Sequence, residues 1–196
     1  MQQKSLFPAL AIALLIAAPA YAHTGVGAVF SFSSGFAHPL GGLDHLLAMF
    51  AVGLLAAQLG GRALWLVPAA FVAAMAAGGL IGHSNIELPG VEAGIAISVV
   101  AIALPVALAF GMPAPLAMAY VGFFALFHGY AHEAELPLYA EAAPYIGGFT
   151  LATAVIHGAG VAAGLGTIRL EAFRNSQGLR AAGAVIAVAG ISLALA

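Results

Sequence analysis

The chain has 196 residues, 63% hydrophobic and only 6% charged, with a formal net charge of −2 and no cysteine. So little charge cannot cover a water-soluble globule of this size. The composition also excludes disulfides, a thiolate metal site, a cysteine nucleophile and a basic surface for nucleic acid. What remains is an integral all-α protein of the lipid bilayer. Apolar runs of about 20 residues recur along the chain, and they lack the alternation of a membrane β-barrel.

The first run differs from the rest. Lys4 precedes an apolar stretch from Leu6 to Ala18, and Ala20-Tyr21-Ala22 supplies a small-x-small cleavage pattern. Residues 1–22 are therefore predicted to be a signal peptide, with His23 as the mature N-terminus. An uncleaved first helix is the alternative. Residues 23–196 are predicted to form a single domain of six transmembrane helices. A broken stretch from Val26 to His38 leads into the first span, Leu43 to Leu59. The others are Ala63 to Ile81, Val91 to Phe110, Ala114 to His132 or a little beyond, Tyr145 to Leu165, and Leu179 to Ala196.

A cleaved signal would place both mature ends outside the cytoplasm, in an inner (cytoplasmic) membrane of bacterial type. The basic residues Arg62, Arg169, Arg174 and Arg180 then all fall on the cytoplasmic side. The outer loops carry Glu87, Glu92, Glu133, Glu135 and Glu141 and no Lys or Arg. Small-xxx-small pairs at Gly78/Gly82 and Gly160/Gly164 predict close helix packing.

Against this apolar background stand seven histidines and seven carboxylates. Ionisable groups are expensive in hydrocarbon, so they usually face a cavity, a partner or a substrate path. Two clusters stand out. One runs from His38 through Pro39, Gly41 and Gly42 to Asp44 and His45. The other is Phe127-His128-Gly129-Tyr130-Ala131-His132-Glu133-Ala134-Glu135. His128, His132 and Glu135 are spaced i, i+4, i+7 and share one helical face, from which Glu133 points away. In the first cluster Pro39, Gly41 and Gly42 predict a break in the helix. Broken helices expose backbone groups where they line a cavity. Asp44 either binds a cation directly or orients His45, as carboxylates beside metal-bound histidines do.

Glu92 opens the third span as a site carboxylate or an interface glutamate. His83 reads as a loop histidine. His157 shares a face with Thr150 and Thr153, either as a deeper polar path or as a partner for a neighbouring helix. His23, if N-terminal, could chelate through its amine and ring. Imidazole plus carboxylate suits a borderline divalent metal, and the affinity order favours nickel over cobalt or manganese, with zinc and copper competing.

The run His-Pro-x-x-Gly-x-Asp-His-Leu-Leu-Ala-Met at His38–Met49 resembles the HupE/UreJ family of hydrogenase and urease accessory membrane proteins. So does Phe-His-Gly-Tyr-Ala-His with the following Glu135. The likeness covers the whole mature chain, with one departure at Glu133, where the family pattern has glycine. The resemblance implies a permease that takes up nickel, with cobalt as a further candidate cargo, and no permanently bound cofactor. It implies metal roles for His38, Asp44, His45, His128, His132 and Glu135, and it supports one for Glu92.

Two other classes compete. One is an intramembrane zinc-dependent hydrolase with Asp44 or Glu135 as base, although His132-Glu133 does not continue into His-Glu-x-x-His. The other is a haem electron carrier, against which the neighbouring carboxylates argue. A phosphate-binding Gly-x-x-x-x-Gly-Lys-[Ser/Thr] loop does not occur, so the chain is not expected to be an ATPase.

Overall fold

The computed structural model describes residues 31–84, 86–134, 142–171 and 177–195. The predicted signal peptide, His23 and Glu135 lie outside them. The described residues form seven α-helices and no strand: α1 Phe32–Gly41, α2 Leu43–Leu59, α3 Ala63–His83, α4 Val91–Ala107, α5 Ala114–Ala134, α6 Ala142–Glu171 and α7 Gln177–Ala194.

Local chemistry sets the helix ends. Ser31 caps α1 through a reciprocal box, its Oγ accepting from the Ser34 amide at 3.1 Å while the Ser34 Oγ accepts from the Ser31 amide at 2.8 Å. Gly60 and Gly61, at φ 67° and 54°, make the turn from α2 to α3, a conformation that side-chain-bearing residues rarely adopt. α4 stops at Ala107, three residues short of the predicted Phe110. Ala109 has φ 54°, and the Phe110 amide turns back to the Pro105 carbonyl at 2.8 Å. α6 is longer than predicted. Its 30 residues extend from Ala142 through Glu171, about 45 Å at 1.5 Å per residue, well beyond a 30 Å hydrocarbon core.

α2 is the axis of the molecule. Every residue from Ala51 to Gln58 is buried, as expected of a helix that is apolar on all sides. Around it α3 packs on α5, α4 on α7, and α1 and α2 both lie on α6. Glycines on both helices of a pair let the backbones touch. A Cβ on Gly78 would overlap the Leu126 carbonyl, and one on Gly129 would overlap the Met75 carbonyl. Gly53 of α2 and Gly160 of α6 face each other in the same way, and Gly164 continues that contact against Ala57. The large apolar side chains that remain point outward, among them Trp65, 79% exposed, with Leu80, Phe123, Val155 and Val188. Such a surface fits hydrocarbon and not water.

Among the described residues four helices are long and apolar enough to cross a membrane: α3, α5, α6 and α7. The pair α1–α2, bent by 85° at Gly42, is together long and apolar enough to count as a fifth, as a broken span or a re-entrant loop. The break therefore lies at Gly42 and not at Pro39, which is buried inside α1. α4 is apolar but has 17 residues. The protein is a multi-pass helical membrane protein.

Candidate metal centre

The alternation of helices brings the ends of α1, α3 and α5 and the starts of α2, α4 and α6 to one end of the bundle. Arg62, Arg169 and Arg180 belong to the other end, where the Arg180 Nε donates to the Ala107 carbonyl at 3.2 Å. The first end holds four imidazoles from three helices. His45 of α2 is the hub. Its ring centroid lies 4.6 Å from that of His132, 4.7 Å from His128 and 6.5 Å from His38. His38 of α1 closes the group at 4.7 Å from His132. Two imidazoles sharing one metal at 2.0–2.1 Å from each nitrogen have centroids about 5 Å apart, so the spacing suits shared ligation. Among the described residues no group of three or more His, Asp or Glu side chains is already arranged to hold a metal ion. The rings are gathered without a finished coordination sphere.

Two of the four rings have their tautomer set by a neighbour. The Asp44 Oδ1 accepts from the His45 backbone amide at 2.8 Å and from its ring Nδ1 at 2.9 Å. That leaves the His45 Nε2 as a lone pair, buried and without a hydrogen-bond partner among the described residues. Gly42 makes room for this fold-back, since a Cβ there would stand 2.9 Å from Asp44 Oδ1 and 3.2 Å from His45 Nδ1. On α4 the Ser98 hydroxyl donates to the Ile95 carbonyl at 2.6 Å, so at 2.8 Å it can only accept from His128 Nε2–H. His128 Nδ1 is then the second lone pair, also buried and unpartnered. Orienting a metal-binding imidazole through its other nitrogen is the usual device for fixing a ligand.

Asp44 is half-buried, and its Oδ1 bonds to His45, the contact that an orienting carboxylate makes. Glu92 is exposed in the first turn of α4. The α4 residue that touches a ring of the cluster is Ser98, which sequence reading overlooked. Its signal was present: it is the one hydroxyl in the run Val91–Ala107, on the face of Ile95 and Ile102. Phe149 and Phe71 were also missed. Phe149 lies 4.3 Å from His132, and Phe71 lies 5.7 Å from His128 and 5.1 Å from His157. His83 ends α3 and is not in a loop. It lines, with His132, Tyr145 and Phe149, a cavity of about 490 Å³ between α3, α5 and α6.

Substituting Ser98→Ala should strand the His128 Nε2–H in a buried site. We expect a loss of about 1–3 kcal/mol of stability. Nitrogen-labelled histidine NMR should also show the Nδ1–H tautomer of His128 appearing beside the Nε2–H form. An unchanged spectrum would rule out Ser98 as the orienting group.

No solved structure matches this chain. The HupE / UreJ protein family matches residues 10–193. "Protein HupE" of Rhizobium leguminosarum bv. viciae is 44% identical over 181 residues, 92% of this chain and 93% of that protein. With both histidine motifs inside the matched region, the chain belongs to the HupE/UreJ family.

Proposed function

We propose that the chain is a permease for a divalent transition metal, with nickel as the main cargo and cobalt as a second, supplying hydrogenase or urease maturation. The observation that carries this reading is the four-imidazole cluster, with His45 and His128 each holding an oriented, unpartnered nitrogen toward it. Neutral imidazoles bind nickel without the near-irreversible grip of thiolates, and a transport site must both capture an ion and release it. A cavity bordered by His83 and His132 adjoins the cluster.

The six-span topology fits this function. α2 and α4, at 17 residues each, reach the lower limit for crossing a bilayer core. With the arginines at the opposite end, the positive-inside rule turns the histidine cluster outward. Cleavage after Ala22 and both mature ends outside the cytoplasm belong to the same reading. A C-terminal reporter active only in the cytoplasm would contradict it.

The test is uptake of radioactive nickel by liposomes holding the purified chain, with cobalt, zinc and magnesium as competitors. We expect nickel entry above empty liposomes, competition by cobalt and none by magnesium. Entry no faster than into empty liposomes would overturn the reading. Zinc-dependent turnover of a peptide or ester by the same preparation would favour the hydrolase instead. The spacing of the second motif in the sequence adds a prediction. Glu135→Gln should abolish uptake while Glu133→Gln spares most of it, because the i, i+4, i+7 spacing of positions 128, 132 and 135 matches the helical period and position 133 falls outside it. Equal losses at matched protein levels would contradict the shared face.

A further inference from the structure

α6 carries a polar stripe that the four-imidazole cluster does not use. Tyr145, Phe149, Thr153 and His157 recur every four residues and so line one side of the helix. The stripe begins at the cluster, where Phe149 meets His132. It then runs inward, with His157 about 12 Å beyond Phe149 at 1.5 Å per residue. Thr153 is fully buried and His157 is 2% exposed.

The bonding of this pair is unusual. A threonine inside a helix ordinarily donates to the carbonyl one turn back. Thr167, on the same helix, does so to Ala163 at 2.8 Å. Thr153 does not: its Oγ1 has no hydrogen-bond partner among the described residues, and neither ring nitrogen of His157 has one. A buried polar group left unpaired is costly, so three such atoms within one helical turn call for a purpose. A packing role does not supply it. Gly53 and Gly160 already bring α2 onto α6 at this level, and a Cβ on Gly53 would overlap the His157 carbonyl. The Phe71 ring touches both His157 and His128, so the inner pair adjoins the outer cluster across a single aromatic side chain.

We infer that Thr153 and His157 form an inner relay site, which takes the divalent cation from the four-imidazole cluster and holds it in transit through the middle of the bundle. This rests on the permease reading above. One imidazole nitrogen and one hydroxyl oxygen, with no carboxylate, make a weak site, as a point of passage requires. The outer cluster captures the ion and sets the apparent affinity. The inner pair governs how fast it proceeds.

The experiment measures initial rates of radioactive nickel entry into liposomes across a range of nickel concentrations. It compares the unmodified chain with Thr153→Val, Thr153→Ser and His157→Phe. We expect Thr153→Val and His157→Phe to lower the maximal rate about tenfold or more while KM stays within about twofold, and Thr153→Ser to keep most of the rate. Valine and threonine have nearly the same shape, so the Val/Ser pair decides the matter even if His157→Phe does not fold. Unchanged rates in Thr153→Val at normal protein levels would overturn the relay. So would a raised KM with an unchanged maximal rate, which would make Thr153 part of the capture site. Failure of the unmodified chain to transport nickel would instead remove the permease reading itself, a result visible before any variant is made.

Discussion

Replacing His45 with alanine should abolish nickel uptake, a loss of more than about 100-fold, because this one ring adjoins all three others in the cluster. His38 reaches His132 directly but lies 6.5 Å from His45, and His128 joins the group only through His45 and its own neighbours on α5. Without the hub only His38 and His132 stay paired, at 4.7 Å, and His128 loses its contact with an imidazole from another helix. Asp44→Asn tests the orienting role separately. The amide can still accept from His45 Nδ1 through its oxygen, but it loses the negative charge that makes the imidazole a stronger donor. A loss of about 10–100-fold is expected, mainly as a raised KM. The two variants are compared at equal amounts of monodisperse protein in detergent. His45→Ala with more than a tenth of normal uptake would remove His45 from the site. An Asp44→Asn variant as dead as His45→Ala would make Asp44 a direct ligand.

The second large effect lies in packing. Gly129→Ala should collapse both fold and uptake, although alanine is the better helix former. Gly129 follows His128 on α5 and presses on α3, where a Cβ would overlap the Met75 carbonyl oxygen and come within 3.0 Å of the Gly79 amide nitrogen. Backbone atoms cannot rotate away as a side-chain tip can. α3 and α5 must therefore separate along their whole contact, which also includes Gly78 against Leu126. Overpacking of this kind costs about 1–3 kcal/mol, and a backbone clash belongs at the upper end. His128 and His132, carried on the displaced helix, move with it. The control is Gly158→Ala, where a Cβ would meet nothing within 4 Å. Thermal unfolding in detergent should show a clear loss for Gly129→Ala and none for Gly158→Ala. Equal melting of the two would contradict the close approach of α3 and α5.

Several parts of this site could be read from residue order alone. The apolar runs and scarce charge give an all-α membrane protein, because a backbone in hydrocarbon must satisfy its own hydrogen bonds. His128 and His132 share a face because four residues make about one helical turn, and both rings do meet His45. Asp44 beside His45 is a local pair, settled within one turn, and Gly42 announces the break that frees it.

Long-range geometry was a different matter. Which helix lies against which depends on where glycines on separate segments can meet, as Gly53 does Gly160 and Gly78 and Gly129 do the facing backbone, and no periodicity within one segment encodes that. The 85° bend at Gly42 folds α1 onto α6 and delivers His38 to His132 and Tyr145. Ser98 orients His128 from 30 residues away, so its role existed only once α4 packed beside α5. Glu92 had the right chemistry, yet it sits in the exposed first turn of α4 while Ser98 occupies the buried face. The sequence by itself determined the donors, their order and their helical phase. Tertiary structure decided which donors converge, because that depends on the contacts between helices and not on the turns within them.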